Sequence, residues 1–100
     1  MAKRVIWSSR ARNDRKGILE YWTERNQSKS YSIKLNQLFN HYVKLIVKNP
    51  KIGRPTDFGL GRLVVIKDYL IIYDISVNTI NIITIWDTRQ DSEKMNITVK

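Results

Sequence analysis

Cysteine is missing altogether from this chain. That excludes a disulfide framework, a thiolate metal site and a cysteine nucleophile, and it makes a reducing compartment the simplest setting. No apolar run approaches the roughly 18 residues that a membrane span needs. The first residues, Met-Ala-Lys-Arg-Val-Ile-Trp, turn polar before a signal-peptide core could form. A cytoplasmic protein without membrane contact is therefore expected. Histidine occurs once, at His41, so acid–base chemistry would have to be assembled from other residue types. Acidic residues are few, 9 Asp/Glu against 18 Lys/Arg, leaving a net charge of +9. Residues 1–50 carry 11 of those cations against 3 acids, while residues 51–100 carry 7 against 6. Such an excess suits a polyanionic partner, either nucleic acid or an acidic protein.

What is present gives the 100 residues one core and one domain, spanning 1–100. The densest apolar stretch runs from Arg62 to Arg89. It holds three β-branched and aromatic runs, separated by Lys67-Asp68 and by Asn78-Thr79, and this is how an antiparallel meander is written. The last run is apolar on both alternation phases, with Ile80, Ile82 and Trp86 on one and Ile83 and Ile85 on the other. A strand of that kind wants cover on both faces. The rest of the chain offers helices for one face only, so an uncovered apolar face is expected near Asp87 and Arg89.

Upstream, Val5-Ile6-Trp7 suits a short opening strand, and Ser8 or Ser9 can cap a helix. That helix carries Ala11, Ile18, Leu19, Tyr21 and Trp22 at apolar spacing. Gly17 weakens it by about 1 kcal/mol relative to alanine and marks a place where a neighbour could pack closely. Asn26-Gln27-Ser28 interrupts the pattern. Ser28 or Ser30 can then cap a second helix whose apolar stripe is Tyr31, Leu35, Leu38, Phe39, Tyr42, Leu45 and Ile46. Its opposite side, Lys34, Gln37, His41, Lys44 and Lys48, reads as a basic solvated ridge. Asn49-Pro50 ends the helix, because the residue before proline is pushed out of the α region. Residues 50–61 hold both prolines and three of the four glycines and form the one long loop, in which Arg54 could approach a phosphate. After Arg89 the chain turns polar, with room for a turn over Ser92–Met95.

With these elements in place the chain resembles the RelE/ParE superfamily of toxins from bacterial type II toxin–antitoxin pairs. The residues that carry the likeness are Ile6-Trp7-Ser8 with Ala11 and Asp14, Ile18-Leu19-Glu20-Tyr21-Trp22, Asn49-Pro50 with Gly53-Arg54, Tyr69-Leu70-Ile71-Ile72-Tyr73, and Ile85-Trp86-Asp87-Thr88-Arg89. The resemblance implies an α+β fold of order β-α-α-β-β-β, with a two-helix hairpin on one face of an antiparallel sheet. It also implies a cognate acidic antitoxin that wraps the toxin, and neither cofactor nor metal. RelE-like members cut mRNA in the ribosomal A site, whereas ParE-like members inhibit DNA gyrase by binding.

Ribosome-dependent cleavage is the first reading of the sequence, decided by Arg89 and the basic charge; gyrase inhibition is the alternative. Cleavage needs a base for the 2′-hydroxyl, cations for the phosphorane and an acid for the leaving oxygen. Arg89 matches the arginine that RelE-like toxins place after the last strand, and it is the candidate for phosphate stabilisation. Asp87 would serve as base if its pKa rises. Arg62 and Lys67 bracket the strand that carries catalytic lysines in RelE-like members, while Arg54, Tyr69 and Tyr73 are candidates for substrate contact. Leu70 and Met95 stand where RelE-like toxins have a catalytic arginine and a stacking tyrosine.

Overall fold

The computed structural model describes residues 3–57 and 61–89. Its elements are β1 (Arg4–Trp7), α1 (Ser9–Asn26), α2 (Ser30–Lys48), β2 (Arg54–Pro55), β3 (Arg62–Ile66), β4 (Tyr69–Ile75) and β5 (Thr79–Asp87). They form one sheet in the order β1-β5-β4-β3-β2, with both helices on one face. The α+β class and the antiparallel meander of β3, β4 and β5 are as the sequence predicts. Two features go beyond it. Arg54-Pro55 adds a short antiparallel edge strand within the long loop. The opening strand pairs with β5 in parallel, Val5 beside Ile80 and Trp7 beside Ile82, so the finished sheet is mixed. The turn expected at Ser92–Met95 lies outside the described residues.

A β-bulge explains the double apolar phase of β5. Ile72 faces Thr84, yet Tyr73 faces Ile82, so Ile83 is the extra residue and the alternation changes phase there. Ile80, Ile82 and Ile85 then all join the helix-side core, while Ile83 and Trp86 turn to the other face. That second face is not the bare apolar surface expected from the count of helices. Leu63, Leu70 and Ile72 are buried on it, with Leu63 paired to Ile72 and Leu70 to Trp86 across neighbouring strands.

Ser8 is the N-cap of α1. Its Oγ accepts from the Ala11 N–H at 2.9 Å and donates to the Ile83 carbonyl at 2.7 Å, so one hydroxyl starts the helix and ties it to β5. Gln27, in a left-handed conformation with φ 51°, closes α1. No side chain caps α2: its N-cap is Lys29, and the Ser28 hydroxyl instead accepts from the Ser30 N–H. The α2 core stripe is Leu35, Phe39, Val43 and Ile46, whereas Leu45 is only half-buried. On α1 only Ala11 is fully buried, and Tyr21 is 46% exposed, because this helix lies on the rim of the sheet. Among the described residues no helix is long and apolar enough to cross a membrane.

The two strand tyrosines are structural. Tyr73 is fully buried; its hydroxyl accepts from the Gly53 N–H at 3.0 Å and donates to the Pro50 carbonyl at 2.7 Å, pinning the loop after α2 to the sheet. A Cβ on Gly53 would stand 2.7 Å from that hydroxyl and 2.8 Å from the Leu63 carbonyl, which makes glycine obligatory there. Tyr73→Phe should therefore cost about 2 kcal/mol or more in urea unfolding, because a buried N–H and a carbonyl lose their partner together. An unchanged midpoint would show that the loop holds without the hydroxyl.

Candidate functional site

The ends of β4 and β5 and one face of α1 border an open cavity of about 590 Å³, lined by Asn13, Asp14, Gly17, Ile18, Tyr21, Tyr69, Ile85, Trp86, Asp87 and Arg89. α1 stands at this edge because β1 stops at Trp7, opposite Ile82. Beyond that point a helix side chain takes over from the missing strand. The Asp14 carboxylate accepts from the Thr84 hydroxyl and from the Ile85 N–H at 3.3 Å. The cavity wall follows from helical geometry: Asn13, Gly17 and Tyr21 recur every fourth residue and so share one face. Gly17 has nothing within 4 Å of where a Cβ would stand. The close neighbour expected at this glycine is absent, and the glycine borders open space instead.

Asp87 and Arg89 form a fork at the end of β5. Arg89 Nε and Nη2 donate to the two Asp87 carboxylate oxygens at 3.0 and 2.8 Å, and the Arg89 N–H donates to Oδ1 at 2.9 Å. The guanidinium lies 5.7 Å from the Trp22 ring centroid, and the Trp22 indole donates to the Tyr69 hydroxyl at 2.7 Å. Arg10 lies 6.0 Å from the Trp86 ring. Arg89 and Trp86 line the cavity, and each has a neighbour beside it, Trp22 and Arg10 respectively, an arrangement that favours anionic or aromatic groups of a partner.

The electrostatics run against general-base work. The hydrogen bonds from Arg89 hold the Asp87 carboxyl below the usual carboxylate range, the opposite of the rise its role as base requires. The same bonds raise the Arg89 pKa, so the arginine stays charged. Burial pushes the Tyr69 phenol up.

The remaining sequence candidates are divided between the two ends of the sheet. Lys67 occupies the turn before Tyr69, which pairs with Asp87, so it lies at the cavity end. It takes a left-handed φ of 54°, and its ammonium lies 5.8 Å from the Tyr31 ring. Arg62 pairs with Tyr73 at the far end of β3 and donates to the Gly53 carbonyl at 2.6 Å, holding the same loop that Tyr73 holds. Arg54, exposed on β2, pairs with Leu63, and Pro55 is the residue opposite Arg62. Tyr69 and Tyr73 are 2% and 0% exposed and offer no face on which a base could stack. Burial on β4 also takes Leu70 into the second core cluster, and Met95 lies outside the described residues. The sequence reading did not single out Trp22, Trp86 or Arg10 as site residues: the two indoles entered it as apolar positions of a helix and a strand. Among the described residues no cluster of His, Asp or Glu could hold a metal ion.

Removing the arginine should release Asp87. In an NMR titration the wild-type Asp87 carboxyl should titrate below about 3.9, the ordinary aspartate value, and Arg89→Ala should move it upward. The depressed folded-state pKa means that the fork's contribution is present above about pH 4 and is lost as the pH falls through that pKa. The variant should lack that acid-side loss. Equal Asp87 titration in both proteins would show that the fork does not persist in solution.

Comparison with known proteins agrees with this architecture. The family model of the ParE toxin of the type II toxin–antitoxin system parDE matches residues 5–92. Among solved structures, the chromosomal ParDE toxin–antitoxin system from P. aeruginosa superposes with a TM-score of 0.74 at 19% identity, covering 86% of this chain and 96% of that one. No curated protein matches the chain. With the family model spanning the sheet, the helix hairpin and the cavity rim, the chain belongs to the ParE toxin family of type II toxin–antitoxin systems, whose toxins are paired with a cognate antitoxin.

Proposed function

We propose that this toxin acts as the ParE branch of the superfamily implies, by binding DNA gyrase, rather than by cutting mRNA on the ribosome. The observation that carries the reading is the Asp87–Arg89 fork. A nuclease would need one of these groups free as a base and the other free for the phosphate. Here they neutralise each other, and Arg62 is committed to the Gly53 carbonyl. An inhibitor that works by binding needs no acid–base set. It needs a shaped rim with polar anchors, and arginine and tryptophan are the residue types that dominate such contacts. Arg89, Trp86 and Arg10 around the cavity meet that description, and family membership supports the same target class.

The purified toxin should inhibit supercoiling by gyrase and leave transcripts intact in a translating extract. Transcripts cut within A-site codons, with gyrase unaffected, would overturn the reading. Arg89→Ala should reduce gyrase inhibition roughly tenfold or more, with the melting temperature only slightly lowered at neutral pH, because the Arg89 side chain is about half exposed and such an ion pair contributes little.

Gly17→Ala separates stability from binding. The helix should gain about 1 kcal/mol, since nothing obstructs the new methyl group. That group also narrows the cavity, so inhibition should fall while the melting temperature rises. A more stable variant of undiminished potency would remove the cavity from the binding surface.

A further inference from the structure

The outward face of α2 is unlike the rest of the surface. Between Glu24 and Asp57 the sequence contains no Asp or Glu but seven Lys/Arg: Arg25, Lys29, Lys34, Lys44, Lys48, Lys51 and Arg54. Lys34, Gln37, His41, Lys44 and Lys48 are all exposed. Their spacing of three and four residues places them on one side of the helix. Lys34, His41 and Lys48 are seven residues apart and lie nearly in line, over a rise of about 21 Å. Among the described residues the ion pairs are Arg10–Asp14, Lys16–Glu20 and Arg89–Asp87, so no lysine of the α2 face is matched by a carboxylate.

We infer that this face of α2 is a contact surface for the phosphate backbone of duplex DNA. The inference does not depend on the gyrase reading, since the toxin alone is enough for it. A row of about 21 Å covers roughly six base-pair steps of 3.4 Å, within which both strands present phosphates. Lysines with glutamine and histidine donors between them are a suitable set for such contacts. Other occupants fit less well. Single-stranded nucleic acid binds by stacking on exposed aromatic rings, and this row has none but the His41 imidazole, which is set edge-on to Tyr42. A protein partner would be anchored by apolar or aromatic side chains at the centre of its contact, and the row from Lys34 to Lys48 is polar throughout. Lys44 and Lys48, one helical turn apart, repel each other, and a polyanion removes that repulsion.

The test must separate this face from the general pull of a +9 protein. Anisotropy of a labelled duplex of about 20 base pairs, titrated with the toxin across a salt series, gives affinity and its salt slope. The triple variant Lys34→Gln, Lys44→Gln, Lys48→Gln should bind at least about tenfold more weakly at low salt. Its slope should be shallower by about 2.7, which is 0.9 for each of the lost phosphate contacts. Arg4→Gln, Arg12→Gln, Lys16→Gln removes the same charge from exposed positions outside that stretch and should change both quantities much less. Glutamine is a good helix former, so circular dichroism should show both variants folded. Equal losses in the two variants would mean delocalised attraction and overturn the inference. So would undiminished duplex affinity in the α2 variant together with lost affinity for an acidic polypeptide, which would make the face a protein-binding one.

Discussion

The hydrogen bonds along the outer edge of β5 are the constraint on which the rest of this structure depends. β1 covers that edge only as far as Ile82. Past this point the backbone of β5 would be left open, and an open edge invites pairing with other chains. α1 closes it with side chains: Ser8 takes the Ile83 carbonyl and Asp14 takes the Ile85 N–H and the Thr84 hydroxyl. Because a helix cannot lie as close to a strand as another strand does, the substitution leaves space. That space is the cavity, and the position of the Asp87–Arg89 fork at its mouth follows from where β1 stops.

The bulge at Ile83 is the second determinant. Without it, Ile85 would leave the helix-side core and Trp86 would enter it, since alternation assigns successive residues to opposite faces. With it, the indole turns away from the core and meets Arg10 at the rim. One additional residue in the strand thus moves a large aromatic side chain from packing to display.

Much of this was legible in the sequence, for physical reasons that can be named. The meander, the two helices and the break at Asn49-Pro50 follow from periodicity and from proline's steric demand, which are local. The solvated ridge of α2 was legible for the same reason. The parallel pairing of β1 was not, because a four-residue strand carries no sign of its partner's direction. Nor was the bulge, which looks in sequence like a strand apolar on both sides. The candidate site was half legible. Arg89 and Asp87 were found together, but the sense of the Asp87 shift depended on their bidentate geometry. Tyr69 and Tyr73 resembled binding residues until their hydroxyls were seen to serve Trp22 and the Pro50–Gly53 loop.

The place of β5 in the sheet also bears on the order in which the toxin becomes active. It follows every other described element in the chain, yet it lies between β1 and β4, and the first strand pairs with nothing else. As the polypeptide emerges from the ribosome, the helices can form early from local contacts, but the sheet cannot close and the fork cannot exist until this strand arrives. Any contact that requires the closed sheet or the fork therefore waits for β5.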